Sequence, residues 1–135
     1  MADLIYDKGR QAFLDGDISW RDGSIVPILI DAEDYVVDGA ADQFLSDVPA
    51  AARVFVGSAL TGKTSTNGIA GADPVTFPAV TGDISEAVVL VQDTGVEGTS
   101  RLIAYLDGAT GLPVTPAGGD IVLQWDTGAN KIFKI

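Results

Sequence analysis

Apolar residues along the chain fall in short runs, and each run is bounded by Gly, Pro, Asp or Asn. Short runs rich in β-branched and aromatic residues and closed by turn-forming residues are typical of β-strands. The candidate strands are Ile18–Trp20, Ile25–Ile30, Tyr35–Val37, Ala52–Gly57, Thr61–Thr66, Val75–Val80, Glu86–Gln92, Arg101–Leu106, Ile121–Trp125 and Lys131–Ile135. The pattern therefore predicts a fold built mostly of short strands joined by turns.

The last four runs give the clearest pattern. Turn-rich segments separate Glu86–Gln92, Arg101–Leu106, Ile121–Trp125 and Lys131–Ile135, which predicts an antiparallel meander. Apolar residues alternate with other residues in Ile121–Trp125, so we expect one face of that strand to be core. Residues Ala87–Val91 are apolar without alternation. We therefore expect apolar cover on both sides of that strand, from a second sheet and from a helix, loop or neighbouring subunit.

Two segments have helical spacing instead. Asp3–Leu14 is followed by Asp15-Gly16, where glycine can take the left-handed conformation that ends helices. Gly39–Val48 repeats its apolar residues every three or four positions and is closed by Pro49. With the strands, these segments predict a mainly β fold, an antiparallel β-sandwich with two short helices. The length fits a single β-rich domain over residues 1–135, with a short N-terminal helix.

Charge and composition exclude several functions. The chain has 8 basic and 19 acidic residues, a net charge of −11, and the basic residues are scattered singly. Nucleic acid is therefore not an expected partner, because phosphate affinity needs clustered Lys and Arg. Without Cys or His there is no thiolate, no imidazole and no Cys/His zinc site. No basic start precedes an apolar stretch and no apolar run is long, so we expect no signal peptide and no membrane partner.

One stretch matches a nucleotide-binding motif. Gly57, Gly62, Lys63 and Thr64 occupy the fixed positions of the phosphate-binding pattern GxxxxGK(S/T). In that loop a helix begins at the Lys-Thr end and aims free N–H groups at phosphate. The residues after Thr64 include β-branched residues, an Asn-Gly pair and Pro74, so we predict extended chain and no helix. We interpret the four residues as part of a Gly-rich β-turn that binds no nucleotide.

A second stretch matches the start of a calcium loop. Asp15-Gly16-Asp17-Ile18-Ser19 spaces its oxygen ligands at alternate positions. The match then fails, because Trp20 stands where the loop needs glycine and Val26 stands where it needs a bidentate glutamate. We interpret this stretch as the turn that ends the first helix.

Other acidic groups are weaker candidates. Asp31, Glu33 and Asp34 lie together in the sequence, as do Asp42 and Asp47, and either group could hold a weakly bound cation. A solvated surface explains both groups. Carboxylate pairs for glycoside hydrolysis arise by number alone in a chain with 19 acidic residues. We therefore expect no catalytic residue, no metal, no cofactor and no enzyme activity.

Distinctive phrases occur through nearly the whole chain: Tyr6-Asp7-Lys8-Gly9-Arg10, Phe13-Leu14-Asp15-Gly16, Phe44-Leu45-Ser46-Asp47, Ala52-Arg53-Val54, Asp93-Thr94-Gly95, Ser100-Arg101-Leu102-Ile103-Ala104-Tyr105, Gly111-Leu112-Pro113-Val114-Thr115-Pro116, Gly118-Gly119-Asp120 and Asn130-Lys131-Ile132-Phe133-Lys134-Ile135. In these phrases the chain resembles small virion structural proteins of tailed bacteriophages, of the head-decoration or cement type. None of the phrases is a catalytic motif.

The resemblance implies a non-enzymatic protein present in many copies on the capsid exterior and made in the host cytoplasm. Its partners would be the major capsid protein, whose subunits it would bind across, and further copies of itself, as a trimer at local three-fold positions. The alternative is a tail, baseplate or fibre component, including a receptor-binding module. A remote alternative is a nucleotide-binding protein built on the phosphate-loop match. The sequence does not indicate which residues form an interface.

Overall fold

Nine short strands and one α-helix make up the regular structure of residues 4–108, 111–125 and 131–135, the part of the chain that the computed structural model describes. In chain order the elements are β1 (Leu4–Ile5), α1 (Asp7–Asp15), β2 (Ile25–Ile30), β3 (Arg53–Val56), β4 (Ile69–Ala70), β5 (Val75–Phe77), β6 (Ala87–Gln92), β7 (Arg101–Leu106), β8 (Ile121–Leu123) and β9 (Phe133–Lys134). Three 3₁₀ turns cover Leu45–Asp47, Ala50–Ala52 and Thr66–Gly68. No helix within the described residues is long and apolar enough to cross a bilayer.

The strands form one larger sheet and two small ones. The larger sheet has five strands in the order β1-β7-β6-β2-β3, and each neighbouring pair is antiparallel. The small sheets pair β4 with β9 and β5 with β8, both antiparallel. The prediction of a mainly β fold with antiparallel sheets is confirmed.

Both faces of the three central strands of the five-stranded sheet, β2, β6 and β7, are buried. On one face, Leu29 and Leu90 pack with Phe77 and Leu123 from the β5–β8 sheet. On the other face, side chains of β2, β6 and β7 pack with residues of the segment between β2 and β3, among them Val48. Each fully buried aliphatic side chain stabilises the fold by roughly 1.5–3 kcal/mol. The predicted two-sided cover of β6 is confirmed, with sheet on one side and loop on the other.

The N-terminal helix is confirmed, and it begins later than predicted. Leu4 and Ile5 pair with β7 as a strand, so helical structure starts only at Asp7; the predicted start, Asp3, lies outside the described residues. Gly16 ends α1 at φ 81°, in the left-handed region. The helix packs close to β7 through Gly9, where a Cβ would lie 2.7 Å from the carbonyl oxygen of Leu102.

The second predicted helix, Gly39–Val48, is wrong. Residues 39–41 form a turn, Phe44 bridges to β7, and only Leu45–Asp47 forms a 3₁₀ turn. The carboxylate of Asp38 accepts the N–H groups of Ala40 and Ala41, and that of Asp47 accepts those of Gln43 and Phe44. Phe44, in the middle of the segment, has an extended backbone and bridges to Arg101, and the short pieces on either side of it do not offset the cost of helix nucleation.

Three predicted strands are wrong because other contacts fix their backbones. Residues 18–20 form no strand, and the amide of Gln92 bonds the backbone of both Asp17 and Ser19. Residues 35–37 have no ladder partner. Residues 61–66 form a loop with a single bridge, from Thr64 to Gly71. Two strands were missed, β1 and β4, each only two residues long.

The predicted meander is correct only for its first pair. β6 and β7 are antiparallel neighbours, but β8 pairs with β5 and β9 pairs with β4. The long connection after β7 takes the chain to the layer that covers one face of the main sheet. There Ile121, Leu123 and Trp125 are buried while Val122 and Gln124 are exposed, so the predicted alternation is confirmed.

Candidate functional site

The loop that matches the phosphate-binding pattern is held by the protein's own backbone. The N–H groups of Gly57, Leu60 and Thr64 donate to the carbonyl oxygens of Pro27, Ile25 and Gly71 at 2.7–2.9 Å. Leu60 is buried in the core. A phosphate cradle needs such N–H groups free and converging on the ligand, and these three are already bonded elsewhere.

The two glycines of the pattern serve close packing. A Cβ on Gly57 would lie 2.7 Å from the ring of Phe77, and one on Gly62 would lie 2.4 Å from the carboxylate of Asp73. Gly62 also has φ 62°, in the left-handed region. Asp73 holds the loop through its N–H, which donates to the carbonyl oxygen of Thr61 at 2.9 Å. The glycines are therefore explained by the fold without a ligand.

Lys63, the lysine of the pattern, bonds to the backbone. Its Nζ donates to the carbonyl oxygen of Gly23 at 2.5 Å. Burial lowers the pKa of the Lys63 ammonium below its ordinary value, and the negative charge of Asp22 acts in the opposite direction. Beyond Thr64 the chain forms a 3₁₀ turn and then β4, so the predicted absence of an α-helix is confirmed. The segment from Gly57 to Thr64 is a longer loop than the single β-turn we predicted. That these residues bind no nucleotide stays a prediction.

An open cleft of about 410 Å³ lies beside this loop, between Gly62 and Trp125. The residues that line it include Asp73 and Lys131, and Lys131 also lines a groove beside β1. The indole Nε1 of Trp125 donates to the carbonyl oxygen of Asp73 at 3.0 Å, so the tryptophan is fixed in the core. Among the described residues that line the cleft, Asp73 is the acidic one and Lys131 is the basic one.

A buried hydrogen-bonded chain of two tyrosines and an aspartate lies under the other face of the sheet. The hydroxyls of Tyr6 and Tyr35 are 2.8 Å apart, and Tyr35 donates to the Asp42 carboxylate at 2.5 Å. Asp42 also accepts the N–H of Asp38. Burial raises the pKa of both tyrosines, and for Tyr35 the bond to Asp42 adds to the rise. Sequence reasoning missed these hydrogen bonds, because nothing in the sequence relates positions 6 and 35.

Three carboxylates meet at the end of β2. Oxygens of Asp31, Asp34 and Asp83 lie within 4.8 Å of one another, and Asp31 is only 5% exposed. Asp31 accepts the N–H of Glu33, and Glu86 accepts the N–H of Ala32, so part of this acidity fixes the loop. Carboxylates are the ligand type that Ca²⁺ and Mg²⁺ take, but three oxygens are fewer than the roughly 6–8 of a calcium site. Sequence reasoning found Asp31 and Asp34 together but missed Asp83.

In the other predicted acidic group, Asp42 and Asp47 accept hydrogen bonds from different donors. Asp42 accepts from Tyr35 and Asp38, whereas Asp47 accepts from Gln43 and Phe44. Each carboxylate therefore binds its own set of donors. The calcium-like stretch is the end of α1, as predicted, with Gly16 as the closing residue.

A groove with an excess of positive charge lies beside β1. We call it the basic groove: it has a volume of about 670 Å³, and its described lining residues include Leu4–Ile5, Arg10, Lys131, the strand residues of β9 and one acidic residue, Asp7. Arg10 contacts Asp7 at 3.4 Å on the exposed surface, where ion pairs contribute little. Sequence reasoning missed the groove, because its cations come from positions 10, 131 and 134, which only the fold brings together.

No protein family model matches the chain, and no curated protein matches it significantly.

Proposed function

We propose that this chain is a non-enzymatic structural protein of a tailed-phage virion. Within that class we propose a decoration or cement protein that binds the exterior of the head across neighbouring major capsid subunits. The observation that carries the proposal is the sequence resemblance, which runs from Tyr6 to Ile135. The geometry of the candidate motifs agrees with a role without catalysis, because the loop that matches a nucleotide site is bonded to its own core.

An apolar surface at the end of α1 supports a role in protein contact. A groove of about 150 Å³ is lined almost wholly by apolar groups, among them Phe13, Trp20 and Phe133. Leu14, the next residue of the helix, is 86% exposed, and Ile135, which lines the groove, is 54% exposed. Apolar groups that adjoin one another on a surface favour contact with another protein, since burying them removes apolar area from water.

Charge supports the same role. A net charge of −11 would keep a crowded array of copies soluble and disfavours non-specific adhesion to nucleic acid. We further propose that the two small sheets serve with the five-stranded sheet as the layers of a β-sandwich. As the resemblance implies, the protein would associate as a trimer at local three-fold positions of the head.

Immunogold electron microscopy of particles purified from a phage that encodes this chain tests the proposal. We expect label over the whole head surface and none on the tail. Label confined to the tail would replace the proposal with the tail, baseplate or fibre alternative. If the protein is found in infected-cell lysate and never on particles, the virion role itself is refuted.

A further inference from the structure

The basic groove runs counter to the charge of the rest of the molecule. Among the described residues that line it are Arg10, Lys131 and Lys134, with Asp7 as the one acidic residue, in a chain with 8 basic and 19 acidic residues. Within the described residues neither lysine forms an ion pair, and Arg10 has only its exposed contact with Asp7. The groove therefore attracts carboxylates, while most of the remaining surface repels them.

Strand edges border the same groove. β1 is the outer strand of the five-stranded sheet, and β9 pairs only with β4 among the described residues. Leu4 and Ile5 of β1 and Phe133 and Lys134 of β9 all line the groove. An outer strand offers backbone N–H and C=O groups to another chain. The carbonyl oxygen of Ile5 already accepts a hydrogen bond from Arg10 at 3.3 Å, so this edge is accessible to donors within the groove.

Positive charge and strand edges together specify the occupant. A polypeptide in extended conformation can bond to a strand edge through its backbone while its side chains meet the cations. Nucleic acid would meet the cations alone, and the net charge of the chain opposes a polyanion of any length. The occupant with the better fit is therefore a short, extended, carboxylate-bearing segment of a protein.

We propose that the basic groove binds an extended acidic segment of the shell subunit, which is added beside β1 and held by Arg10, Lys131 and Lys134. This inference rests on the proposed function, since it takes the shell protein as the partner. It adds that the basic groove is the contact surface and that the bound segment is extended and acidic. The apolar groove at the end of α1 shares Phe133 with the basic groove, and its other lining residues lie outside it.

The first test measures how charge-reversed variants of this protein bind to purified shells that lack it. Wild type, Lys134→Glu, Lys131→Glu/Lys134→Glu and Arg21→Glu are mixed with shells and the bound fraction is measured by co-sedimentation. Arg21 is exposed and lies outside the groove, so R21E is the matched control for charge. Thermal unfolding of each variant verifies the fold.

We expect the dissociation constant of Lys134→Glu to rise about tenfold or more, and that of the double variant to rise further, with Arg21→Glu within about twofold of wild type. The loss should shrink at high salt, because the charges are exposed. If wild type does not bind shells, the proposed function fails. If wild type binds and all variants bind equally, the function stands and the groove proposal is overturned.

Cross-linking identifies the occupant. A photoreactive residue in place of Asp7, which lines the groove, should cross-link to one acidic peptide of the shell subunit, and the same residue in place of Arg21 should not. A cross-link at position 7 to a second copy of this chain would overturn the proposal in favour of self-association. A cross-link at position 7 to no shell peptide, while the protein remains bound, would also overturn it.

Discussion

Replacing Gly9 by alanine tests how α1 is positioned. Gly9 is buried in the helix, and a Cβ there would lie 2.7 Å from the carbonyl oxygen of Leu102 and 3.1 Å from that of Ile103. Both atoms belong to the backbone of β7, which pairs on both sides. Neither atom can rotate away as a flexible side chain would, so the helix or the strand has to shift.

Two opposing contributions determine how Gly9→Ala changes the free energy of unfolding. Alanine is a better helix former than glycine by about 1 kcal/mol. Overpacking against fixed atoms costs about 1–3 kcal/mol, and contact with backbone places Gly9→Ala towards the upper end. We expect a net loss of about 2 kcal/mol in the free energy of unfolding. For a chain of this size, that lowers Tm by roughly 6–10 °C.

Urea and thermal unfolding, followed by circular dichroism, measure the effect, and two other glycines provide matched controls. Gly16 has φ 81° with nothing within 4 Å of a Cβ, so Gly16→Ala should cost about 1 kcal/mol through backbone strain alone. Gly98 has open space and no positive φ, so Gly98→Ala should change stability by less than about 0.5 kcal/mol. A Gly9→Ala variant as stable as wild type would refute the close packing of α1 on β7.

Three further outcomes are expected. Tyr35→Phe should lower the free energy of unfolding by about 1–3 kcal/mol in urea titrations, because it leaves the Asp42 carboxylate without a buried donor; no loss would contradict the network. Folding raises the pKa values of Tyr6, Tyr35 and Tyr105, so their titration should not affect the free energy of unfolding below about pH 9 and should lower it above about pH 10, where the tyrosines of the unfolded chain ionise first. Absorbance at 295 nm should show tyrosinate appearing together with unfolding. Tyrosine ionisation at pH 10 in the folded protein would refute this. Calorimetric titration with ATP and Mg²⁺ should give no heat of binding, whereas micromolar binding abolished by Lys63→Ala would restore the nucleotide-binding alternative.

The sequence predicted the elements that depend on the pattern of neighbouring residues along the chain. Ile25–Ile30 and Arg101–Leu106 have the predicted bounds, because long apolar runs can only be buried. The end of α1 at Gly16 followed from the conformational freedom of glycine. The absence of an α-helix after Thr64 followed from local propensity.

Features that depend on distant contacts could not be predicted from the sequence. The segment 39–48 has helical spacing, but Phe44 in its middle is extended and bridges to Arg101 of β7. The pairing of β8 with β5 depends on where a long connection leads. The basic groove is assembled from the two ends of the chain, so single cations that look scattered along the sequence become neighbours only after folding.

Quantitative mass spectrometry of gradient-purified particles tests the central claim most directly. The measurement is the molar ratio of this chain to the major capsid protein in intact virions of a phage that encodes it. A decoration role predicts a fixed ratio, reproducible between preparations and retained through repeated purification, with copies in numbers comparable to the capsid subunits. Loss of the protein on purification, or a few copies per particle, would contradict the account.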